Sequence, residues 1–249
     1  MTPGQIILAS GGKVDYGKDI FRFVETQEEA GSYFLVDDLE EQSILESVVD
    51  NFKPPAPNNG HHYHYLITTP FRYPPLKHGS RFGNRAENSY FYGSESILTC
   101  LAESAFYRFA FFDGMTTQYQ QKVSSNHQLF NVGTQTANAL DLTRITDTWV
   151  NELLSSKTSY MLPQQVGTQA RKEGFELIRF NSARENNGVN VAIDNIHVIT
   201  SAAPNNISAV KCETLAIEGI IRMSLPKSFP VTFTREQFLM DGQYPYPPA

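Results

Sequence analysis

Thr69–Phe112 reads TPFRYPPLKHGSRFGNRAENSYFYGSESILTCLAESAFYRFAFF. Its two halves obey different rules. In the first, Pro74, Pro75, Gly79 and Gly83 forbid regular structure, so Phe71–Gly83 is expected as a loop. The aromatic run Tyr90–Tyr92 then suggests a short strand. Gly93-Ser94 offers a helix start, with Ser94 as N-cap. Small and apolar residues carry that helix to about Phe111, and Gly114 stops it. One loop, one strand end and one helix thus gather four side chains with chemistry to offer: Arg72, Arg81, Tyr92 and Glu103.

Outward from this stretch, Tyr63–Thr68, Gln128–Val132, Ala139–Leu142, Phe175–Phe180 and Val189–Ile193 read as strands, and Ser208–Leu225 alternates enough for one or two more. Asp147 can cap a helix through Val150, Leu153 and Leu154. Pro163 suits the first turn of another helix that ends at Gly174. Strands outnumber helices and do not alternate with them regularly. The expected class is therefore α+β, a mixed sheet core with flanking helices, rather than a doubly wound parallel sheet. No internal repeat is visible. Residues 1–60 read as an accessory segment: a strand at Tyr33–Val36, a helix capped by Asp37 or Asp38 with Ile44, Leu45, Val48 and Val49 as its apolar stripe, and a proline-rich linker from Lys53 to Gly60. Residues 61–225 would form the main domain and 226–249 a C-terminal strand and tail, irregular from Gly242 onward.

The 249 residues allow one large domain or two small ones. With 12% aromatic and only 18% charged residues, the chain supports a substantial core and not wholesale disorder. A net charge of -6 argues against a general nucleic-acid or membrane-surface binder. Arg72, Lys77, His78, Arg81 and Arg85 nevertheless form a local basic cluster. No basic N-terminal region precedes a long apolar run, and no run approaches the roughly 20 residues of a membrane helix; the chain reads as cytoplasmic. Cys100 and Cys212 read as buried thiols. Ser10-Gly11-Gly12-Lys13 lacks the spacing of a phosphate loop, and neither GxGxxG nor GxSxG occurs. His61, His62 and His64 have no Cys or carboxylate at ligand spacing, so no metal site is expected.

Each candidate has a plain reading beside a chemical one. Arg72, ahead of Tyr73-Pro74-Pro75, and Arg81, after Gly79-Ser80, are suited to phosphates through charge-assisted hydrogen bonds; surface ion pairs are the plain alternative. Tyr92 can stack on a flat ring or sit in the core. Glu103 is more telling, because a glutamate among Leu101, Ala102, Ala105 and Phe106 is rarely buried without a partner. Either it faces a polar cleft or it pairs with an arginine such as Arg108 or Arg72. It stands roughly 13 Å along a helix begun at Ser94. It therefore shares a site with Tyr92 only if a ligand runs along the helix or other segments fold across. Ser182 lies in a strand-end loop, where ligand contacts concentrate, or simply in a turn.

Taken together, TPFRYPP, GSRFG, FYGS, LAES and NSAR, in this order over roughly Tyr63–Ala203, resemble the RES domain, a family named for Arg, Glu and Ser. The intervals from Arg81 to Tyr92 and from Tyr92 to Glu103 are both eleven residues, as the resemblance leads one to expect. Ser80-Arg81-Phe82-Gly83 stands where a GRWN-type motif is more usual. The resemblance implies a fold similar to ADP-ribosyltransferase toxins and an NAD-consuming enzyme, the toxin of a bacterial toxin–antitoxin pair. It implies a pocket in which Arg72, Tyr73, Arg81, Tyr92 and Ser182 hold NAD, with Glu103, Arg72 and Tyr92 as the catalytic set. NAD would be substrate, and a cognate antitoxin would cover the site; a homodimer is left open. Water, phosphate or a protein side chain remain as acceptors, and a non-catalytic interaction protein on the same fold is the alternative of another class.

Overall fold

A computed structural model describes residues 1–26, 37–52, 54, 62–73, 75, 77–117 and 119–246. The order is α1 (Pro3–Ala9), β1 (Lys13–Glu25), α2 (Leu39–Phe52), α3 (Tyr65–Arg72), β2 (Phe91–Ser94), α4 (Ile97–Asp113), β3 (Val123–Asp141), α5 (Thr148–Leu154), α6 (Met161–Lys172), β4 (Leu177–Asn181), β5 (Val189–Ile193), β6 (Asn205–Leu215), β7 (Ile220–Ser224) and β8 (Val231–Thr234). The strands form one mixed sheet in the order β1-β2-β5-β4-β3-β6-β7-β8. The expected α+β class is what the chain adopts: β3 and β4 run parallel and the other pairs antiparallel.

The long strand β3 organises the sheet. One edge pairs with β1 from Lys13↔Leu140 to Glu25↔His127. Its other edge pairs first with β6 and then, at Ala139–Asp141, with β4. Because β1 also meets β2 at Phe21↔Ser94, the pairings of β1, β3, β4, β5 and β2 close into a circuit. Lys13–Glu25 is thus built into the same sheet as strands of residues 61–225, although residues 1–60 read from sequence as an accessory segment. Gly11 and Gly12, at φ 92° and 74°, make the turn from α1 into β1, a left-handed conformation glycine adopts without steric cost. Lys13 donates to the Gly174 carbonyl at 3.0 Å. The SGGK run is therefore a turn.

Several expected elements shift. Tyr63–Thr68 is not a strand: Tyr65–Arg72 is helical, with His64 as N-cap, its Nδ1 accepting from Leu66 N at 3.3 Å. The β-branched residues are overridden because the helix buries Ile67 completely and sets Phe71 against Phe91 at 6.0 Å. Gln128–Val132 and Ala139–Leu142 are parts of one strand. Asp38 caps α2 through Oδ1, which accepts from Glu40 N and Glu41 N at 2.8 Å, yet Ile44 and Val48 of its apolar stripe are exposed. Tyr33–Val36 and nearly all of the linker lie outside the described residues. Asp147 caps α5 as expected, at 3.1 Å to Val150 N. Both cysteines are buried and free. Among the described residues, no helix is long and apolar enough to cross a membrane.

The loop that carries Arg81 is held against α6. Phe82 is fully buried, edge-on to Phe180 at 4.8 Å, and Gln164 Nε2 donates to the carbonyls of His78 and Ser80 at 3.1 and 3.0 Å. Gly167 lies under this loop, where an added Cβ would run into the Phe82 carbonyl. Gly167→Ala is expected to destabilise the protein by about 1–3 kcal/mol despite the better helix propensity of alanine. Urea unfolding of the two proteins measures this; equal or greater stability of the variant would show that the loop yields freely.

Candidate active site

Helix α4 begins at Ile97, not Ser94. Ser96 is its N-cap, accepting from Thr99 N at 3.1 Å. Ser94 belongs to β2 and spends its hydroxyl on the sheet, donating to Asn190 Oδ1 at 2.6 Å. Asn190 in turn donates from Nδ2 to Glu103 Oε1 at 2.6 Å. Both Ser94 and Asn190 are buried, so the chain Ser94–Asn190–Glu103 ties the carboxylate to two strands.

Ser182 completes the hold on Glu103. It lies in the β4–β5 hairpin loop, closed by Ser182 N to Gly188 O at 2.8 Å. The loop packs so tightly on α4 that a Cβ at Gly188 would meet Thr99. Ser182 Oγ donates to Glu103 Oε1 at 2.7 Å and accepts from the backbone N–H groups of Arg184 and Glu185 at 3.0 and 3.1 Å. One carboxylate oxygen is thereby fixed by two donors. Oε2 receives no hydrogen bond from the described residues. The partners of Glu103 are thus Ser182 and Asn190 rather than an arginine: Arg108 points away, its Nε donating to Thr214 Oγ1.

Arg81 is buried, with Nη1 donating to the carbonyls of Leu154 and Ser156 at 3.1 and 3.0 Å and its guanidinium 4.8 Å from the centre of the Tyr160 ring. The Tyr160 hydroxyl meets that of Tyr107 at 2.8 Å, and Tyr107 lies one turn beyond Glu103 on the same helix face. Through Tyr160 and Tyr107, the loop of Arg81 reaches the helix of Glu103. Tyr92 joins from the strand side. Its hydroxyl donates to Ser80 Oγ at 2.9 Å and accepts from Phe82 N at 3.1 Å. Burial pushes its pKa up to about 12, against the pull of those two hydrogen bonds. Tyr92 is therefore a neutral phenol at physiological pH, with its hydroxyl committed to the two neighbours of Arg81.

Arg81, Tyr92, Glu103 and Ser182 thus come together. Arg72 and Tyr73 stand apart. Arg72 is the last residue of α3, its Nε donating to the Pro54 carbonyl, and Tyr73 is 40% exposed. The neighbouring Phe71 packs on Phe91, whose ring lies on the opposite face of β2 from Tyr92. Among the described residues no hydrogen bond, ion pair or ring contact connects Arg72 or Tyr73 with the other four. Two residues not singled out from sequence join the cluster: Asn190 and Arg184. Asn190 has no local signal, since its role depends on the register Ser94↔Asn190 between β2 and β5. Arg184 lay in plain view within NSAR.

A groove of about 460 Å³ opens beside Tyr160, His78, Asn84 and Gln164, but none of the six expected site residues lines it. The convergent polar groups, rather than this groove, mark the candidate site.

Asn190→Ala removes a donor from Glu103 and an acceptor from Ser94 in a buried setting. The expected loss of stability is about 1–3 kcal/mol, read by chemical unfolding. A variant as stable as the parent would show that water satisfies both groups.

A profile of the RES domain matches residues 56–211. No curated protein matches the chain. Among solved structures, the chain is similar to one from the M. tuberculosis MbcT–MbcA toxin–antitoxin complex, at 12% identity and a TM-score of 0.45, over 93% of this chain and 92% of that one. With well over half of its length matched by the profile, this chain belongs to the RES domain family.

Proposed function

We propose that the protein degrades NAD by cleaving the nicotinamide–ribose bond, with water or phosphate as acceptor, and that it is the toxin of a toxin–antitoxin pair whose partner covers the site. The observation that carries this reading is the fixed carboxylate of Glu103, standing beside guanidinium groups that make no ion pair with a carboxylate among the described residues. Membership of the RES family supports NAD as the substrate. Transfer of ADP-ribose to a protein is the second reading, since the same bond breaks and only the acceptor differs.

Breaking that bond develops positive charge on the ribose, as in glycoside hydrolysis. Nicotinamide leaves as a neutral group, so no strong general acid is needed. The requirement is a negative charge held where the sugar becomes cationic. Asn190 and Ser182 fix Oε1 and leave Oε2 to hold a ribose hydroxyl and face the cation. Because the carboxylate is already oriented, little reorganisation accompanies the charge development. Arg81 supplies positive charge for the diphosphate, and Tyr92 keeps the Arg81 loop in place. Arg72 and Tyr73 enter this proposal only as contacts for the distal part of NAD.

Glu103→Gln preserves size and hydrogen bonding while removing the charge. It is expected to keep the fold and lower NAD turnover by about 10²–10³. Turnover and thermal unfolding on the same preparation check this. Wild-type turnover in a folded variant would remove Glu103 from catalysis.

A further inference from the structure

Arg184 is only 8% exposed, and its guanidinium carbon lies 3.3 Å from the centre of the Phe106 ring. Packed flat on that ring, a guanidinium directs its N–H groups outward in its own plane. Among the described residues only Nη2 has a partner, the Lys157 carbonyl at 3.0 Å. Nε and Nη1 are buried without a hydrogen-bond partner among those residues. Buried donors are nearly always satisfied, so an arginine in this condition calls for a ligand.

The surroundings say which kind. Arg81 donates to Leu154 and Ser156, and Arg184 to Lys157, so two cations hang from carbonyls of one short segment at the end of α5. These bonds close the helix terminus, but they leave Nε and Nη1 of Arg184 unexplained. Burial lowers the Arg184 pKa; Glu103, Tyr107 and Tyr160 oppose that shift and Arg81 adds to it, which places all five groups within one electrostatic neighbourhood. Neither arginine makes an ion pair with a carboxylate among the described residues. Neutral carbonyls are the weaker acceptors for a guanidinium; a phosphoryl oxygen carries the opposite charge, and a phosphoryl group can be held by two parallel N–H bonds. The segment from Ser155 to Ser159 is partly or fully exposed, so a phosphoryl group arriving from solvent meets it first.

We propose that Arg184 is a phosphoryl-oxygen-binding residue of this site, acting beside Arg81, and that the Lys157 carbonyl holds Nη2 until a phosphoryl group displaces it. The inference rests on the NAD-cleaving reading only for the source of that group: the diphosphate of the dinucleotide, or free phosphate serving as acceptor.

The test is calorimetric titration of the full chain and its R184K and R184Q variants with inorganic phosphate and, separately, with pyrophosphate, alongside NAD turnover. The expected result is binding by the parent, weakened about 10- to 100-fold in R184Q and partly restored in R184K, which keeps a cation without the planar fork. Dependence on Arg184 for pyrophosphate alone assigns the diphosphate, and dependence for phosphate alone assigns the acceptor. The proposal is overturned if the parent binds neither anion at millimolar concentration, or if both variants bind like the parent. It is also overturned if both variants fail to fold, which would make Arg184 a structural residue. A parent that binds pyrophosphate through Arg184 yet leaves NAD intact would keep the site and discard the NAD reading. NAD turnover unchanged in R184Q both with and without inorganic phosphate would do the reverse.

Discussion

A carboxylate on the apolar face of a helix has to be given donors, and that requirement shapes the centre of this molecule. Glu103 finds them in Ser182 and Asn190. Asn190 is in turn fixed by Ser94, so the β2–β5 register, the β4–β5 hairpin and α4 have to agree within hydrogen-bonding distance. Such a buried network costs stability when half-made and confers a unique arrangement when complete. Here every buried member between Ser94 and Glu103 is satisfied, and Oε2 is the oxygen left over.

The fold positions this network through β3 and β1. Their long pairing, closed at the far end by β2, sets where β5 runs and therefore where Asn190 stands. Arg22 of β1 strengthens the same corner: its Nη1 donates to the Tyr92 carbonyl at 2.8 Å, and its guanidinium lies 4.7 Å from the centre of the Phe91 ring. A second network ties Tyr16, Lys18, Glu95, Asp141 and Arg179 across β1, β3 and β4.

Local chemistry was legible in the sequence wherever it decided the outcome. Asp147 capped its helix, Gly114 ended α4, and Val189–Ile193 formed a strand. Long-range packing was not legible. Tyr63–Thr68 has strand-forming residues, but a histidine cap and the burial of Ile67 made most of it helical. β1 was missed because a thirteen-residue strand with charges at Lys13, Asp15, Lys18, Asp19 and Arg22 lacks clean alternation; its pairing with β3 reveals it. The same division holds at the site. Residue types and the family resemblance grouped Arg72, Tyr73, Arg81, Tyr92, Glu103 and Ser182; the structure gathers the last four and leaves Arg72 and Tyr73 apart, and the division of labour needed coordinates. Tyr92 spends its hydroxyl on the Arg81 loop, and Ser182 spends its proton on Glu103. Asn190, set by register alone, could not be found from residue type.

The central claim is that this arrangement breaks the nicotinamide–ribose bond. Incubating the purified chain with NAD, with no added metal and with or without inorganic phosphate, followed by product analysis, tests it most directly. The account predicts release of nicotinamide together with ADP-ribose or its phosphorylated form, the balance reporting whether water or phosphate is the acceptor. NAD recovered intact under both conditions would contradict it.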